Sequence, residues 1–522
     1  MNSNLRHLTH SFKLCVIGGG LAGMCAAVAA ARHGAKVALI HDRPVLGGNA
    51  SSEIRMWPLG CHGEHNRESG IIEEIFVKNM FRNPIKNYSV WDSILYETVR
   101  FEKNIELFLN CSCADCETDG NRIISVDAWQ LTTYTWYTIK ADIFIDCSGD
   151  SILAPLSGAA YRVGRESFSE FGEPIGHEKS DRKTMGMSCL IQAIETEKPS
   201  YFTPPPWANV YETDESLCFR GHSMKEITQN FWWIELGGED DSIHDTEKLR
   251  DELLKVAFGV WDHIKNRGDH GADNWELSWI GFLPGKRESR RYEGDYILKQ
   301  HDLAQGTKFD DVVAYGGWPM DDHDPAGFHH KGAPNINHPV TIPYGIPYRC
   351  LYSRNVDNLM FAGRNISVTH AALSSTRVMA TCAVIGQAAG TAASIAIKEH
   401  TTPRGVYKHH IKFLQSMLLE DDTYLPGMVR DIPAVTANAS LTGFGTGIEN
   451  IRNGIDRHIE SYEDNMARLT LGKPLTYAFS EATDLRRLRI LFDSDLERAT
   501  IDGHRVLRRY PMIANKFLDS RE

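Results

Sequence analysis

The sequence predicts an α/β protein: a parallel sheet wrapped by helices, interrupted by an inserted α+β region and followed by a β-rich C-terminal module. Three observations predict it. An apolar run at 13–18 leads straight into Gly18-Gly19-Gly20-Leu21-Ala22-Gly23, and an alanine-rich stretch follows at 24–33. A second apolar run lies at 36–40, without the alternation of a half-exposed strand, as expected for a strand buried on both faces. The same strand–turn–helix texture returns at 358–399.

The first unit is strand, glycine loop, helix and strand, a βαβ unit. Strong helix formers fill 24–33, and Gly34 supplies a stop. Residues 44–70 are too polar and too broken by Gly, Ser and Asn for a core element, so they read as a long loop of the functional kind. Helices are expected at 71–80 and 91–103. Strands are expected at 105–109 and 122–130 around the turn 118–121, and again at 132–139, where side chains alternate. A buried strand at 141–146 ends on Cys147-Ser148-Gly149-Asp150.

Residues 160–345 are heterogeneous and rich in Trp, Tyr, His, Pro and Asp, with one clear helix at 248–267. They read as a substrate region inserted between 12–159 and 346–430. Residues 402–430 read as helical. From 431 to 522 the expectation is a β-rich module, a partial sandwich with strands at 434–441, 476–479 and 488–492.

Composition narrows the partners. The net charge of −12 does not suit nucleic acid, whose phosphates need a basic surface. The first 13 residues hold no apolar core of signal-peptide type, and no run reaches the ~20 apolar residues of a membrane span. The run 379–397 comes nearest but is interrupted by Gly, Gln, Ser and Thr. A cytoplasmic protein is therefore expected, with a small-molecule substrate and with self-association left open. The 11 cysteines are scattered. Cys111, Cys113 and Cys116 cluster in sequence, but Cys147 belongs to another strand, so reduced thiols are expected rather than a four-ligand metal site.

The glycine loop carries the first functional inference. Gly18 permits a tight turn, Gly20 lets the backbone approach a pyrophosphate, and Gly23 lets helix and strand pack closely. The helix then offers unpaired N–H groups and its positive end to phosphate. A dinucleotide is expected here. An acid should close the second strand and hold a ribose hydroxyl. That slot holds His41, with Asp42 beside it, so either residue is a candidate.

Eight stretches extend the inference: CVIGGGLAGMCAAVAAARHGAKVALI, RPVLGGNASSEIRMW, RESGIIEEI, ADIFIDCSGD, RRYEGDYIL, AYGGWPMDDH, IPYGIPYRCLYSRNVDNLMFAGRN and SSTRVMATCAVIGQAAGTAA. In this order they resemble the glutathione-reductase-type flavoproteins, and more closely the FAD-dependent oxidoreductases of bacterial sugar-degradation loci, which are related to the fumarate-reductase-like flavoproteins. The resemblance spans 15–393. It implies a Rossmann-like FAD-binding fold and FAD as cofactor. It implies that Gly47, Gly48, Asn49, Ser51 and Ser52 run beside the pyrophosphate and isoalloxazine, and that Arg43 lies near the adenosine end. The backbone from Cys111 to Cys113 would contact adenine, and Ser148, Gly149 and Asp150 form a second cofactor-contact motif. Gly363 and Arg364 would sit by the ribityl chain. A helix starting near Ser374 or Ser375 would aim its positive end at the flavin.

Flavin oxidation of an alcohol needs a base for the leaving proton, and imidazole titrates in the right range. His62, His323 and His370 are the candidates, each in a loop expected opposite the glycine turn. The surrounding candidates are Cys61, Glu64, His65, Arg67 and Glu68 in the first loop, and Trp318, Asp321, Asp322, Asp324, His329 and His330 in the second. Asp321, His323, His329 and His330 could also bind a metal, but their spacing matches no zinc pattern, and none is expected. Arg287, Arg290 and Arg291 suit internal ion pairs. Trp232, Trp233, Trp275, Trp279 and Trp318 suit a core, and stacking on a sugar as well.

The reading is hydride transfer between FAD and a polar metabolite, a carbohydrate or a sugar derivative, with a separate electron acceptor. Two other readings stay open. One is a reductase of an alkene or ketone with Arg349, Arg364 or Arg377 as acid. The other is a flavin-bearing carbohydrate-binding protein.

Overall fold

The computed structural model describes residues 5–63, 66–217, 220–224, 233–457 and 465–493, together with the backbone of two short strands at 500–501 and 504–505. Its centre is a sheet of five parallel strands. The elements that build the site are β1 (Leu14–Ile17), α1 (Leu21–Arg32), β2 (Val37–Ile40), β3 (Ile105–Phe108), β4 (Ile143–Asp146), β5 (Leu359–Phe361) and α2 (Met379–Lys398). The strand order is β5-β4-β1-β2-β3. The order reverses direction at β1, where the chain leaves toward β2 on one side and later returns to β4 on the other. Ligands of open parallel sheets bind at such a switch point, beyond the carboxyl ends of the strands. β1, β2, β4 and β5 are buried throughout, which explains their unbroken apolar sequence.

The two helices meet almost backbone to backbone. A Cβ on Gly386 would stand 2.0 Å from the Ala22 carbonyl oxygen, and one on Gly390 would stand 2.0 Å from that of Ala26. The small residues of α1 and α2 are thus a requirement of this crossing. α2 has the length and apolarity of a membrane span, yet its apolar window is 94% buried inside the protein. It is a core helix.

A second, four-stranded sheet runs in the order Arg6–Ser11, Thr135–Lys140, Arg122–Gln130, Cys111–Asp119. Residues 6–11 pair in parallel with 135–140, so the N-terminal segment is part of this sheet and the structure begins before residue 12. The inserted region has its own core, in which Met187, Ile191, Leu253, Trp261, Trp275 and Ile280 are buried together around the helix Thr246–Asn266. Beyond 430 the strands are short: Ser440–Thr442 pairs with Thr476–Ala478, and Gly445–Thr446 with Arg468–Leu469. Residues 434–437 form a helical turn instead of a strand, and 488–492 form no strand. Leu488 and Phe492 are each 80% exposed, so there is no second layer for a strand to pack on, and no sandwich forms among the described residues.

Candidate active site

The long cleft at the switch point encloses about 760 Å³. Its floor is the glycine loop. Gly18 sits at φ +103°, and a Cβ there would strike the Cys147 carbonyl at 2.4 Å. A Cβ on Gly23 would stand 1.8 Å from the Gly18 carbonyl oxygen, so this residue packs helix on strand and lies beneath the cleft. Gly20 is different. Its Cβ position is open, with Gly48 Cα the nearest atom at 3.9 Å. α1 starts there with no side-chain cap, which leaves its first N–H groups for a ligand.

His41 lines the cleft, but its ring nitrogens are not free for a ribose. Its Nδ1 accepts the Gly19 N–H at 3.0 Å, and its Nε2 donates to the Val45 carbonyl at 2.9 Å. Both ring nitrogens are used in bracing the loop, and the carboxylate at the end of β2 is that of Asp42, which lines the cleft.

Leu21, Ala22, Arg43, Gly47, Gly48, Asn49, Cys113, Ser148, Gly149, Asp150, Gly363 and Arg364 also line it. Asp150 is held between Lys286 Nζ at 2.7 Å, Arg364 Nη2 at 2.9 Å and Ser289 Oγ at 2.8 Å. Burial would raise its pKa, but Arg364 and Lys286 hold it down to about 2. Gly149 has φ +78°, and any Cβ would meet the Arg364 guanidinium at 2.5 Å. Ser148 turns its hydroxyl to Asp146 at 2.6 Å.

Besides Gly23, four expected cofactor residues lie outside the lining. Ser51 is fully buried, and Ser52 gives its N–H to Asp92 at 3.1 Å. Ser374 and Ser375 are buried in a short helix, His370–Thr376, with hydroxyls bonded to the Ala371 and Trp318 carbonyls. The expected single helix breaks at Arg377-Val378, and α2 begins at Met379 without a side-chain cap. Arg377, Val378 and Met379 line the cleft, so the positive helix end there belongs to α2.

The far wall holds the titratable groups. Residues Met320–His323 pair antiparallel with Asn335–His338. Alternation along the strand sends Asp321 and His323 into the cleft and Asp322 to the other face. His323 is buried, with Nδ1 2.8 Å from Glu235 Oε2 and Nε2 3.2 Å from Asp321 Oδ2. Burial opposes the charge, but the Glu235 and Asp321 carboxylates raise its pKa. Arg377 Nη2 binds Asp321 at 3.1 Å, and Arg287 Nη1 lies 3.4 Å from Glu235.

His370 belongs to the opposite face. Its ring lies 2.8 Å from Glu288 and 3.1 Å from Asp322. Burial opposes its charge, and the two carboxylates raise it to about 10, a fixed cation outside the cleft. His62 packs edge-on against Trp318 at 4.4 Å and also lies outside the lining. Arg349 is remote: it pairs with Asp311 at 2.9 Å and lies over Tyr296 and Tyr407. Glu64, His65 and Trp232 lie outside the described residues. Among the tryptophans, Trp233 and Trp318 line the cleft, Trp275 is core, and Trp279 lies under Arg55. His329 and His330 leave the cleft after Asp324, so no metal set forms with Asp321 and His323 among the described residues. Cys111, Cys113 and Cys116 are free thiols, and burial raises the pKa of each.

Glu235, Asn335, Asn337 and Lys286 were not singled out from the sequence. The Asn-x-Asn spacing of 335–337 was the available sign, because alternation puts both amides on one face.

The cleft fits a flavin dinucleotide. Two helix ends without a side-chain cap meet in it, and Arg43 Nη1, Arg364 Nε, Arg377 Nε and Trp318 Nε1 are buried there without a hydrogen-bond partner. The protein is thus an FAD-binding enzyme of the parallel-sheet class. The chain belongs to the FAD dependent oxidoreductase family, whose sequence model matches residues 13–418. No curated protein sequence matches it. Similar solved structures include a geranylgeranyl bacteriochlorophyll reductase-like protein from Thermoplasma acidophilum, at 12% identity over 80% of this chain and 85% of that one, TM-score 0.34. A p-nitrophenol 4-monooxygenase from Pseudomonas putida matches at 10% identity over 78% and 86%, TM-score 0.33. The quinol fumarate reductase of E. coli matches at 13% identity over 79% and 75%, TM-score 0.30.

Proposed function

We propose that this FAD-dependent oxidoreductase exchanges a hydride with a polar, hydroxyl-bearing metabolite, and that His323 handles the accompanying proton. The carrying observation is that His323, alone of the three histidine candidates, lines the cleft. FAD supplies the two-electron step when bound. Asp42 would take the ribose hydroxyls, and the N-termini of α1 and α2 would face its negative groups.

Two carboxylates favour the charged form of His323, the form that donates a proton to substrate oxygen during reduction. In the oxidising direction it must first lose that proton before it accepts one from a hydroxyl. Trp233 and Trp318 offer flat faces, and Asn335 and Asn337 offer amides on the same wall. That combination suits a sugar or sugar derivative, whose C–H faces stack and whose hydroxyls pair with amides. The proposal includes a separate electron acceptor and a cytoplasmic setting.

A second reading, reduction of an alkene or ketone, is favoured by Arg377, whose guanidinium lies in the cleft on Asp321. Arg364 is committed to Asp150, and Arg349 lies outside the cleft.

Anaerobic mixing with a panel of sugars, polyols and hydroxy acids tests the proposal through bleaching of the flavin band near ~450 nm. Bleaching by a polyol or sugar, slowed in His323→Gln, is expected. If no compound of the panel bleaches the flavin, or if His323→Gln reacts at the wild-type rate, the reading is wrong.

A further inference from the structure

Three histidines and one aspartate converge in the inserted region, away from the cleft. Asp214, His222, His263 and His270 each offer one ligand atom, and these four atoms lie within 4.8 Å of one another. His263 comes from the last turn of the helix Thr246–Asn266, and His270 from the loop just after it. Asp214 and His222 both meet this helix end, Asp214 at His263 and His222 beside the His263 and His270 rings.

The three edges at Asp214 match a tetrahedral site. Asp214 Oδ1 lies 3.1 Å from His263 Nε2, 3.5 Å from His222 Nε2 and 3.5 Å from His270 Nε2. Metal–ligand bonds of about 2.0–2.1 Å imply ligand–ligand edges of roughly 3.3 Å in a zinc tetrahedron.

The protonation pattern asks for a cation. His263 Nδ1 lies 2.7 Å from the Tyr211 carbonyl, and His222 Nδ1 lies 2.8 Å from the Arg220 carbonyl. A carbonyl only accepts, so each Nδ1 carries the hydrogen. In the neutral ring Nε2 then has only a lone pair, and both lone pairs face the same carboxylate oxygen. This is also the arrangement in which a backbone carbonyl fixes the tautomer of a metal-bound histidine. Protons alone would need several imidazolium rings with centroids 4.7–5.3 Å apart, sharing one carboxylate. One divalent ion satisfies all of them. His270 Nε2 also lies 2.9 Å from the Arg267 carbonyl, a bond that it would exchange for a metal.

We propose that Asp214, His222, His263 and His270 form a four-ligand zinc site that braces the inserted region. Four protein ligands leave no open position, which marks a structural rather than a catalytic ion. Imidazole and carboxylate donors suit zinc. The site fastens Asp214 and His222 to the end of the helix. Arg220, two residues before His222, donates to the carbonyls of Gly327 and Gly332, in the stretch that leads into Asn335 on the cleft wall. The ion therefore stiffens the support of that wall without touching it.

The test uses the untagged full-length holoprotein, stripped with chelator, reloaded with zinc chloride and passed through a desalting column. Elemental analysis is expected to give one zinc per chain. Asp214→Asn and His222→Ala change residues outside the buried core, and each is expected to lower retained zinc by an order of magnitude with flavin content unchanged. Cobalt substitution of the wild type is expected to give the intense visible bands of four-coordinate cobalt, a readout that does not depend on any variant folding. Less than half an equivalent of zinc in the wild type, wild-type retention in a folded variant, or only the weak bands of six-coordinate cobalt would overturn the proposal.

Discussion

His323 Nδ1 lies 2.8 Å from Glu235 Oε2, and both side chains are buried at the edge of the cleft. The pair raises the pKa of the imidazole, because the carboxylates outweigh the cost of burial. Removing the negative partner should lower the pKa of His323. In Glu235→Gln, the pH at which the oxidation rate reaches half its plateau should move down from the wild-type value. His323→Gln should lose about 10²–10⁴ of kcat/KM while flavin absorbance stays normal. Rate–pH profiles of both variants under anaerobic conditions check this. A Glu235→Gln profile that coincides with the wild type would remove Glu235 from the proton path.

His370 gives a prediction about stability. Its folded pKa of about 10 stands above the ordinary histidine value of about 6.5. The native state therefore holds the proton more tightly than the unfolded chain. The stabilisation is fully present below about 6.5 and is lost as pH rises through about 10. Urea midpoints measured from pH 6 to pH 10 should fall across that interval by more in the wild type than in His370→Gln (an interval of ~4 units set by the same linkage). Parallel curves would mean that the clamp of Glu288 and Asp322 contributes nothing to folding.

Asp150 has the opposite sign. Its folded pKa of about 2 lies below the usual carboxylate value of about 3.9. Its contribution is present above about 3.9 and disappears as pH falls through about 2. Asp150→Asn leaves Lys286 and Arg364 facing each other without their carboxylate. That variant should unfold at lower temperature at neutral pH and should release flavin more readily on dilution, read by the recovery of flavin fluorescence. Unchanged melting and unchanged flavin retention together would refute this role.

The crossing of α1 and α2 yields a packing prediction. In Gly390→Ala the new methyl would stand 2.0 Å from the Ala26 carbonyl oxygen, which is backbone and has little room to give. Overpacking of this kind typically costs about 1–3 kcal/mol. Gly34→Ala is the control, because a Cβ there meets nothing within 4 Å, although its φ of +92° carries a strain of its own. Denaturant titration should place Gly390→Ala at the lower midpoint of the two, and the reverse order would contradict the crossing geometry.

The βαβ unit, the buried strands and the glycine loop were legible because each is a local pattern: apolar runs, helix formers and glycines at fixed spacing. The roles of the histidines were not. His62, His323 and His370 look alike in sequence, and the differences lie in partners far along the chain, namely Trp318 for the first, Glu235 for the second and Glu288 for the third. His41 was legible as a departure from an acid, but its turn toward Gly19 and Val45 follows from the loop geometry alone. The break at Arg377-Val378 was hidden because helix flanks it closely on both sides. Residues 434–437 and 488–492 illustrate the reverse error, whereas the strand expected at 476–479 forms at Thr476–Ala478. Turn residues between short apolar runs suggested strands, but Leu488, Ile490 and Phe492 have nothing to pack against and stay exposed.

The contact of Gly386 with Ala22 joins positions more than 300 residues apart, and β5 enters the sheet beside β4 with partners 215 residues apart, as in Leu359 beside Phe144. The N-terminal strand, loop and helix therefore leave the ribosome long before the helix that covers them has been made. Contacts of such high sequence separation form slowly, and apolar surface stays open until they do. The glycine cradle reaches its final shape only after α2 has been synthesised. During biosynthesis, flavin capture is then a late event that follows assembly of the whole first three quarters of the chain. A nascent chain stalled before residue 379 would carry the phosphate-binding signature in full and still have no flavin pocket.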